Sequence, residues 1–258
     1  NLKMNSSEQL AGKAGIQLTY TTGGQSKDRQ RRKQLVEVMD SAVNWYHDRL
    51  LQGPDAREAR DYLRARGLSG DVARQFKIGW APDDWDAMSR EIGVSIDLLK
   101  EVGLAFVNKR GKPQDSFRAR VLFPIFTDGG EAVAFGGRIL DAGEPKYLNS
   151  PESDIYHKSK VLYGIFHAKQ AIAKQDNCYL VEGYTDVVSL HLSGIENVVA
   201  SSGTSLTDGQ IKMIRRFTNQ VTVLYDGDSA GIKASLRGID LLLEGGLNVK
   251  AVVPLPDV

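Results

Sequence analysis

The sequence predicts an α/β fold: a mostly parallel sheet flanked by helices, preceded by a mixed α+β segment that carries many basic side chains. Three observations lead there. Residues 176–258 alternate short apolar runs with amphipathic stretches, the pattern of repeated β-α-β units. Residues 117–140 switch to an apolar period of two around Asp128-Gly129-Gly130, the signature of an antiparallel hairpin. Before them, apolar residues recur at helical spacing.

The elements follow in order. Residues 1–34 hold Thr21-Thr22-Gly23-Gly24 and the basic run Lys27, Arg29, Arg31, Arg32 and Lys33; they read as a linker and the start of a helical segment with a solvated face. Leu35, Met39, Ala42, Tyr46 and Leu50 line one side of a helix. Pro54 and Gly67 frame a second helix. Trp45, Trp80 and Trp85 are assigned to the helical core. In the hairpin, Phe117, Ala119, Val121, Phe123 and Ile125 share one face, and Arg118 and Arg120 lie opposite. Residues 141–159 are polar and read as irregular. A helix carrying Val161, Ile165, Ala168 and Ile172 follows.

Strands are expected at 179–181, 197–200, 221–225 and 249–253, with helices between them. Thr207 with Gln210 forms a capping box, and Gly245-Gly246 stops the helix of Ile232, Leu236, Ile239 and Leu243. The expected division is therefore a linker at 1–34, a basic subdomain at 35–175 and a parallel-sheet domain at 176–258.

Composition excludes several classes. Of 258 residues, 41% are hydrophobic and 25% charged, which is a globular balance. No apolar run approaches the ~18 residues of a membrane span, so no membrane partner is expected. Cys178 is the one cysteine, which excludes a disulfide framework and a multi-cysteine zinc site and fits a reducing, cytoplasmic setting. The net charge is +1, so contact with nucleic acid has to come from local clusters. Gly-x-x-x-x-Gly-Lys and a nucleophile elbow are both absent from the sequence.

Two acidic motifs sit where such a fold places its chemistry, beyond the carboxyl ends of the strands. Glu182-Gly183-Tyr184-Thr185-Asp186 follows the first strand of the parallel sheet and Asp226-Gly227-Asp228 the third. Crowded carboxylates repel unless a cation neutralises them. Oxygen donors without His or Cys suit Mg²⁺ or Mn²⁺. The alternative is a polar turn in which Asp228 caps the next helix.

Glu182-Gly-Tyr-Thr-Asp186, Ala200-Ser-Ser-Gly-Thr204 and Tyr225-Asp-Gly-Asp-Ser-Ala-Gly231 resemble the Toprim domain of primases, topoisomerases and some nucleases. Upstream, Phe117-Arg-Ala-Arg-Val-Leu-Phe-Pro-Ile125, Phe135-Gly-Gly-Arg138, Lys146-Tyr-Leu-Asn-Ser-Pro151 and Lys158 with Leu162-Tyr-Gly164 are similar to the basic subdomain of DnaG-type bacterial primases. The resemblance covers about residues 35–258. It implies a Toprim-type sheet and DNA-templated synthesis of short RNA primers by metal-dependent nucleotidyl transfer.

By the same resemblance, Glu182, Asp226 and Asp228 are the catalytic metal ligands for Mg²⁺, with Mn²⁺ as a substitute. Asp186 is their outer companion, and Gly183 and Gly227 shape the turns. Arg118, Arg120, Arg138, Lys146, Tyr147, Asn149 and Lys158 are expected to hold nucleotide or template, although Arg118 could instead pair with Asp115. Expected partners are single-stranded DNA, ribonucleoside triphosphates and the RNA primer, on a monomer working at the replication fork of the bacterial nucleoid. Zinc would belong to an amino-terminal domain, and contact with a replicative helicase to a carboxyl-terminal domain, both outside this span. The family's third acidic pair, Asp-Pro-Asp, is also outside it, since the sequence ends at Leu255-Pro256-Asp257-Val258; weak or absent activity of this span is expected. Three alternatives stand beside this reading: a Toprim nuclease or topoisomerase, a piece of a primase-helicase fusion, and a non-catalytic nucleic-acid-binding module.

Overall fold

A computed structural model describes residues 24–140, 143–201, 205–224 and 229–252, with backbone alone at 24–26 and 229–236. The expected linker over residues 1–23, the turn at 225–228 with Asp226, Gly227 and Asp228, and the last strand residue 253 lie outside the described residues. Ile232 and Leu236 carry no side-chain description. The chain divides into two compact units, Asn1–Gln34 and Leu35–Val258. Helix α1 (Gly24–Gln52) contributes residues to both. In the first unit Arg31 donates to Gln34 at 2.8 Å along the helix surface.

In the second unit, Leu35, Met39, Ala42, Tyr46 and Leu50 of α1 are all buried, as their spacing requires. A 3₁₀ turn (Pro54–Ala56) and α2 (Arg57–Ala65) form the second helical segment, and Gly67 takes a positive φ of 74° just past its end. Then come α3 (Gly70–Gln75), α4 (Ala87–Glu91) and α5 (Ile96–Glu101).

Short strands interrupt the helices where the sequence pattern showed none. β1 (Gly79–Ala81) joins the antiparallel sheet, and β2 (Ala105–Val107) pairs with β3 (Pro113–Asp115) as a separate ribbon. Three residues are too few to display a period of two. Trp80 lies buried in β1 and its indole N–H donates to Asp55 at 3.1 Å. Trp85 departs from the expectation of a core residue: it is 58% exposed.

The hairpin is β4 (Arg120–Phe126) and β5 (Ala132–Ile139), closed by Gly130 at φ 91°. β6 (Tyr147–Asn149) adds to β5 inside the segment read as irregular, giving the order β1-β4-β5-β6. The strand β4 begins later than its alternation suggested. Ala119 has φ 48°, so Phe117 and Arg118 precede the strand. The sheet is covered on both sides, so Leu122 and Arg120 are buried along with Val121 and Phe123. Arg120 therefore has no solvated face to occupy.

The second sheet is parallel, in the order β10-β9-β7-β8: β7 (Cys178–Val181), β8 (Val198–Ala200), β9 (Gln220–Leu224) and β10 (Asn248–Val252). Its helices are α6 (Ile165–Gln175), α7 (Tyr184–Leu192), α8 (Asp208–Arg215) and α9 (Ser229–Glu244). The alternation of a strand divides the sheet between two cores. Cys178, Leu180, Val199, Val221 and Val223 pack with Ile165, Ile172, Ile211 and Leu242. Val181, Val198 and Ala200 turn the other way and join Phe123, Tyr163, Tyr184 and Val187 in the core shared with the antiparallel sheet. Leu242 is the buried residue of α9's last turn, and Leu243 is 54% exposed, one position off the expected face.

The outer edge of β8 is occupied. Tyr163 and Ala200 exchange both backbone hydrogen bonds, at 2.9 and 3.0 Å, as an antiparallel bridge. Among the described residues no helix is long and apolar enough to cross a membrane.

Candidate functional site

The site is built at the carboxyl end of β7. Glu182 follows Val181 directly, and its Oε1 is buried. Gly183 then starts α7 in an extended conformation, and the Asp186 carboxylate accepts its N–H at 3.0 Å. Asp186 thus caps the helix from its exposed side while fixing the turn that carries Glu182. β9 runs parallel to β7 with Leu180 beside Val223, so its last residue, Leu224, leaves the sheet next to that turn. Asp226 and Asp228 come two and four residues later in the sequence. Among the described residues no group of three His, Cys, Asp or Glu could hold a metal ion. Cys178 offers no soft ligand, because burial pushes its thiol up to about 12.

The expected contact residues fall into three places. The first is the strand pair β5 and β6. Arg138 lies opposite Tyr147 across the ladder, and its guanidinium carbon sits 4.6 Å from the Tyr62 ring centre and 5.8 Å from that of Tyr147. Rings on two sides hold the guanidinium by cation–π attraction. Lys146 and Tyr147 are exposed beside it. Arg120 is buried beneath them and donates to the carbonyls of Gly137 and Lys146 at 3.5 and 3.4 Å. It clamps the backbone that carries Lys146.

The second place is a small cavity lined by Asn149, Lys158, Tyr163 and Ser201, among others. The Lys158 N–H donates to Glu152 at 2.8 Å, and its carbonyl accepts from Gln210 at 3.1 Å. Asn149 also accepts the Tyr184 hydroxyl at 2.7 Å. The cavity is thereby tied to the Glu182 turn.

The third place stands apart. The Arg118 guanidinium lies 3.3 Å over the Trp85 ring, beside an open hollow of about 740 Å³ between Trp85 and the turn of Asn108, Arg110 and Lys112. Arg118 does not pair with Asp115. That carboxylate is buried and accepts the N–H groups of Met88 and Ser89 at 2.8 and 3.0 Å. Burial raises its pKa above the usual range, and the hydrogen bonds oppose the rise.

Sequence reasoning missed Trp85, Tyr62 and Tyr184 as members of these clusters. For Trp85 a signal existed: it stands in Pro82-Asp83-Asp84-Trp85-Asp86, a polar turn composition unsuited to a core. For Tyr62 and Tyr184 no local signal existed, since their partners are remote in sequence.

A carboxylate turn at the end of a parallel strand, joined through one core to a sheet bearing basic side chains, defines a Toprim-bearing catalytic core. The comparisons agree. Residues 179–257 match the Toprim-like family, and residues 45–169 match the family described as "DNA primase catalytic core, N-terminal domain". A DNA primase of Halalkalibacterium halodurans is 41% identical over 254 residues, covering 97% of this chain and 42% of the relative. A crystal structure of a DNA primase domain from Pseudomonas aeruginosa superposes with a TM-score of 0.81 at 37% identity, over 85% of this chain and 71% of that one. A DnaG primase catalytic domain bound to ssDNA gives a TM-score of 0.80 at 41% identity, over 89% of this chain and 75% of that one. The chain belongs to the DnaG-type DNA primase family. It spans about two fifths of the length of the curated relatives it matches.

Proposed function

We propose that this chain is the catalytic core of an enzyme that lays short RNA primers on single-stranded DNA by nucleotidyl transfer. The observation that carries the reading is the Glu182 turn held against the β5–β6 strands that bear Arg138, Tyr147 and Asn149, with Lys146 just before β6. In the reaction, the primer 3′ hydroxyl attacks the α-phosphorus of a ribonucleoside triphosphate. One phosphorus–oxygen bond forms, the bond to pyrophosphate breaks, and the hydroxyl proton leaves.

The donor chemistry fits a hard divalent cation. Glu182 brings a carboxylate with a buried oxygen, and Asp226 and Asp228 would add two more. Bound there, Mg²⁺, or Mn²⁺ in its place, would neutralise charge at the phosphates and lower the pKa of the attacking hydroxyl. The remaining work belongs to the chain. Arg138, Lys146 and Lys158 would hold the triphosphate, Arg138 from a guanidinium already oriented by Tyr62 and Tyr147. Tyr147 and the Trp85–Arg118 pair offer stacking and charge to a single strand, which needs both and no base-specific contact. Arg120 acts from beneath, through the Lys146 backbone. Base choice follows from pairing with the template.

The same reading divides the chain into a basic subdomain at 35–175 and a Toprim domain at 176–258. It places the protein, as a monomer, in the cytoplasm at the replication fork in the nucleoid, with helicase contact and zinc binding left to segments outside this span. The test is incorporation of labelled ribonucleotides on single-stranded DNA with Mg²⁺ or Mn²⁺, by this span beside a chain extended past residue 258, with the variant made in the longer chain. Glu182→Gln should abolish product and leave the melting temperature unchanged. Full product from that variant, or cleavage of the template in place of synthesis, would overturn the reading.

A further inference from the structure

We propose that Tyr62 is a positioning residue for the triphosphate of the incoming ribonucleotide: its ring, without touching the nucleotide, holds the Arg138 guanidinium in the plane in which it meets phosphate oxygens. The proposal deepens the nucleotidyl-transfer reading above and rests on it. It brings α2, a helix of the amino-terminal half, into the work of the site.

Arg138 lies in β5 as the register partner of Tyr147. Of the two rings beside its guanidinium, the one from the helix is the nearer, at 4.6 Å for Tyr62 against 5.8 Å for Tyr147. Among the described residues no carboxylate pairs with this guanidinium, and its buried Nε–H meets no acceptor. A half-buried cation without a counter-charge gains from an anion. Aromatic faces attract such a cation without spending its N–H donors. Those donors share one plane, so a ring that fixes the plane fixes where they point.

Tyr62 is the firmer of the two supports. Tyr147 is 42% exposed, whereas Tyr62 is half-buried and packs against the core. Its neighbours on α2, Ala59 and Leu63, are buried. The Arg60 guanidinium donates to the carbonyls of Leu50 and Gly53 at 2.8 and 2.9 Å, which ties α2 to the end of α1. The ring is therefore set in place before a nucleotide arrives. Burial raises the pKa of the Tyr62 phenol, and Arg138, then Arg66, oppose the rise. Arg66 is exposed just past the helix and also lies over the ring, at 5.1 Å, so the test has to separate the two cations.

The test compares Tyr62→Phe with phenylalanines of increasing ring fluorination at the same position, in the chain extended past residue 258. Fluorine drains the negative face of the ring and keeps its shape, so the melting temperature should stay near that of Tyr62→Phe. From Tyr62→Phe to the most fluorinated ring, KM for ribonucleotide and the Kd of a fluorescent ATP analogue should rise about fivefold, with kcat changed by less than about twofold. In an Arg138→Gln background the series should be flat, and in an Arg66→Gln background it should keep its slope. A packing role alone would leave KM and Kd level along the series, which would overturn the proposal. A slope that survives Arg138→Gln or vanishes with Arg66→Gln would overturn it as well. In each case, loss of incorporation in Glu182→Gln would leave the wider reading standing. Full incorporation by Glu182→Gln would overturn both.

Discussion

His167 shows how one buried side chain makes stability depend on pH. It packs against Phe76 with ring centres 4.4 Å apart, and its Nε2 is buried with no hydrogen-bond partner among the described residues. Burial, reinforced by His191, pushes its imidazole down to about 4. His191 is also lowered by burial, and Gln75 donates to its Nε2 at 2.8 Å, an arrangement that requires the neutral ring. Both groups are neutral in the folded chain and charge more readily when it unfolds. The stability they contribute is present above about pH 6.5, is lost as pH falls toward 4, and changes little below that. For His167 the loss is on the order of 3 kcal/mol. Urea unfolding between pH 4 and 8 checks this: His167→Phe should remove most of the slope, and a variant profile parallel to the parent would contradict it. At this scale much of the site escaped the sequence. Glu182 was legible because a carboxylate just past a strand end has a known place in the fold. Tyr184 was not, because its partner Asn149 lies 35 residues away and only the tertiary fold brings them together.

The α8 helix organises the segment beneath the cavity. Thr207 and Gln210 form the expected capping box, with hydrogen bonds of 3.3 and 3.2 Å. The Gln210 amide also donates to the carbonyls of Lys158 and Val161, and the Thr207 hydroxyl to that of Ser159. Gly209 is required for this approach, since a Cβ there would lie 2.3 Å from the Ser159 carbonyl oxygen. Gln210→Ala should lower stability by about 2 kcal/mol, from the cap and the carbonyls left unpaired. It should also speed amide exchange in residues 158–161; normal exchange there would show that the segment holds itself. The box was legible because capping chemistry is local. The hairpin was legible for the same reason, through its turn. The three-residue strands β1, β2, β3 and β6 were not, and the side chains of β4 deceived because both faces are covered.

The whole molecule carries a net charge of only +1, so the proposed binding of a single strand would rest on the local set of Arg118, Arg138, Lys146 and Lys158. Three or four phosphate contacts predict a log–log salt slope of about −2 to −3 for single-stranded DNA. Titration by fluorescence anisotropy across salt checks it, and a flat dependence would exclude phosphate contact by these side chains. The division of the fold into a helical and antiparallel part followed by a parallel sheet was readable from a change of period. The sharing of one core between the two sheets was not, because it depends on which face of β7 and β8 turns toward Phe123 and Tyr184. The bridge between Tyr163 and Ala200 has a consequence for the protein in a crowded cell. A bare edge strand is a template on which a second chain can add, and repeated addition makes aggregates. By satisfying the outward N–H and C=O of Ala200 within the molecule, the loop before α6 takes one register of β8 away from a stranger. The short segment that carries Tyr163 thus protects solubility as well as packing the core.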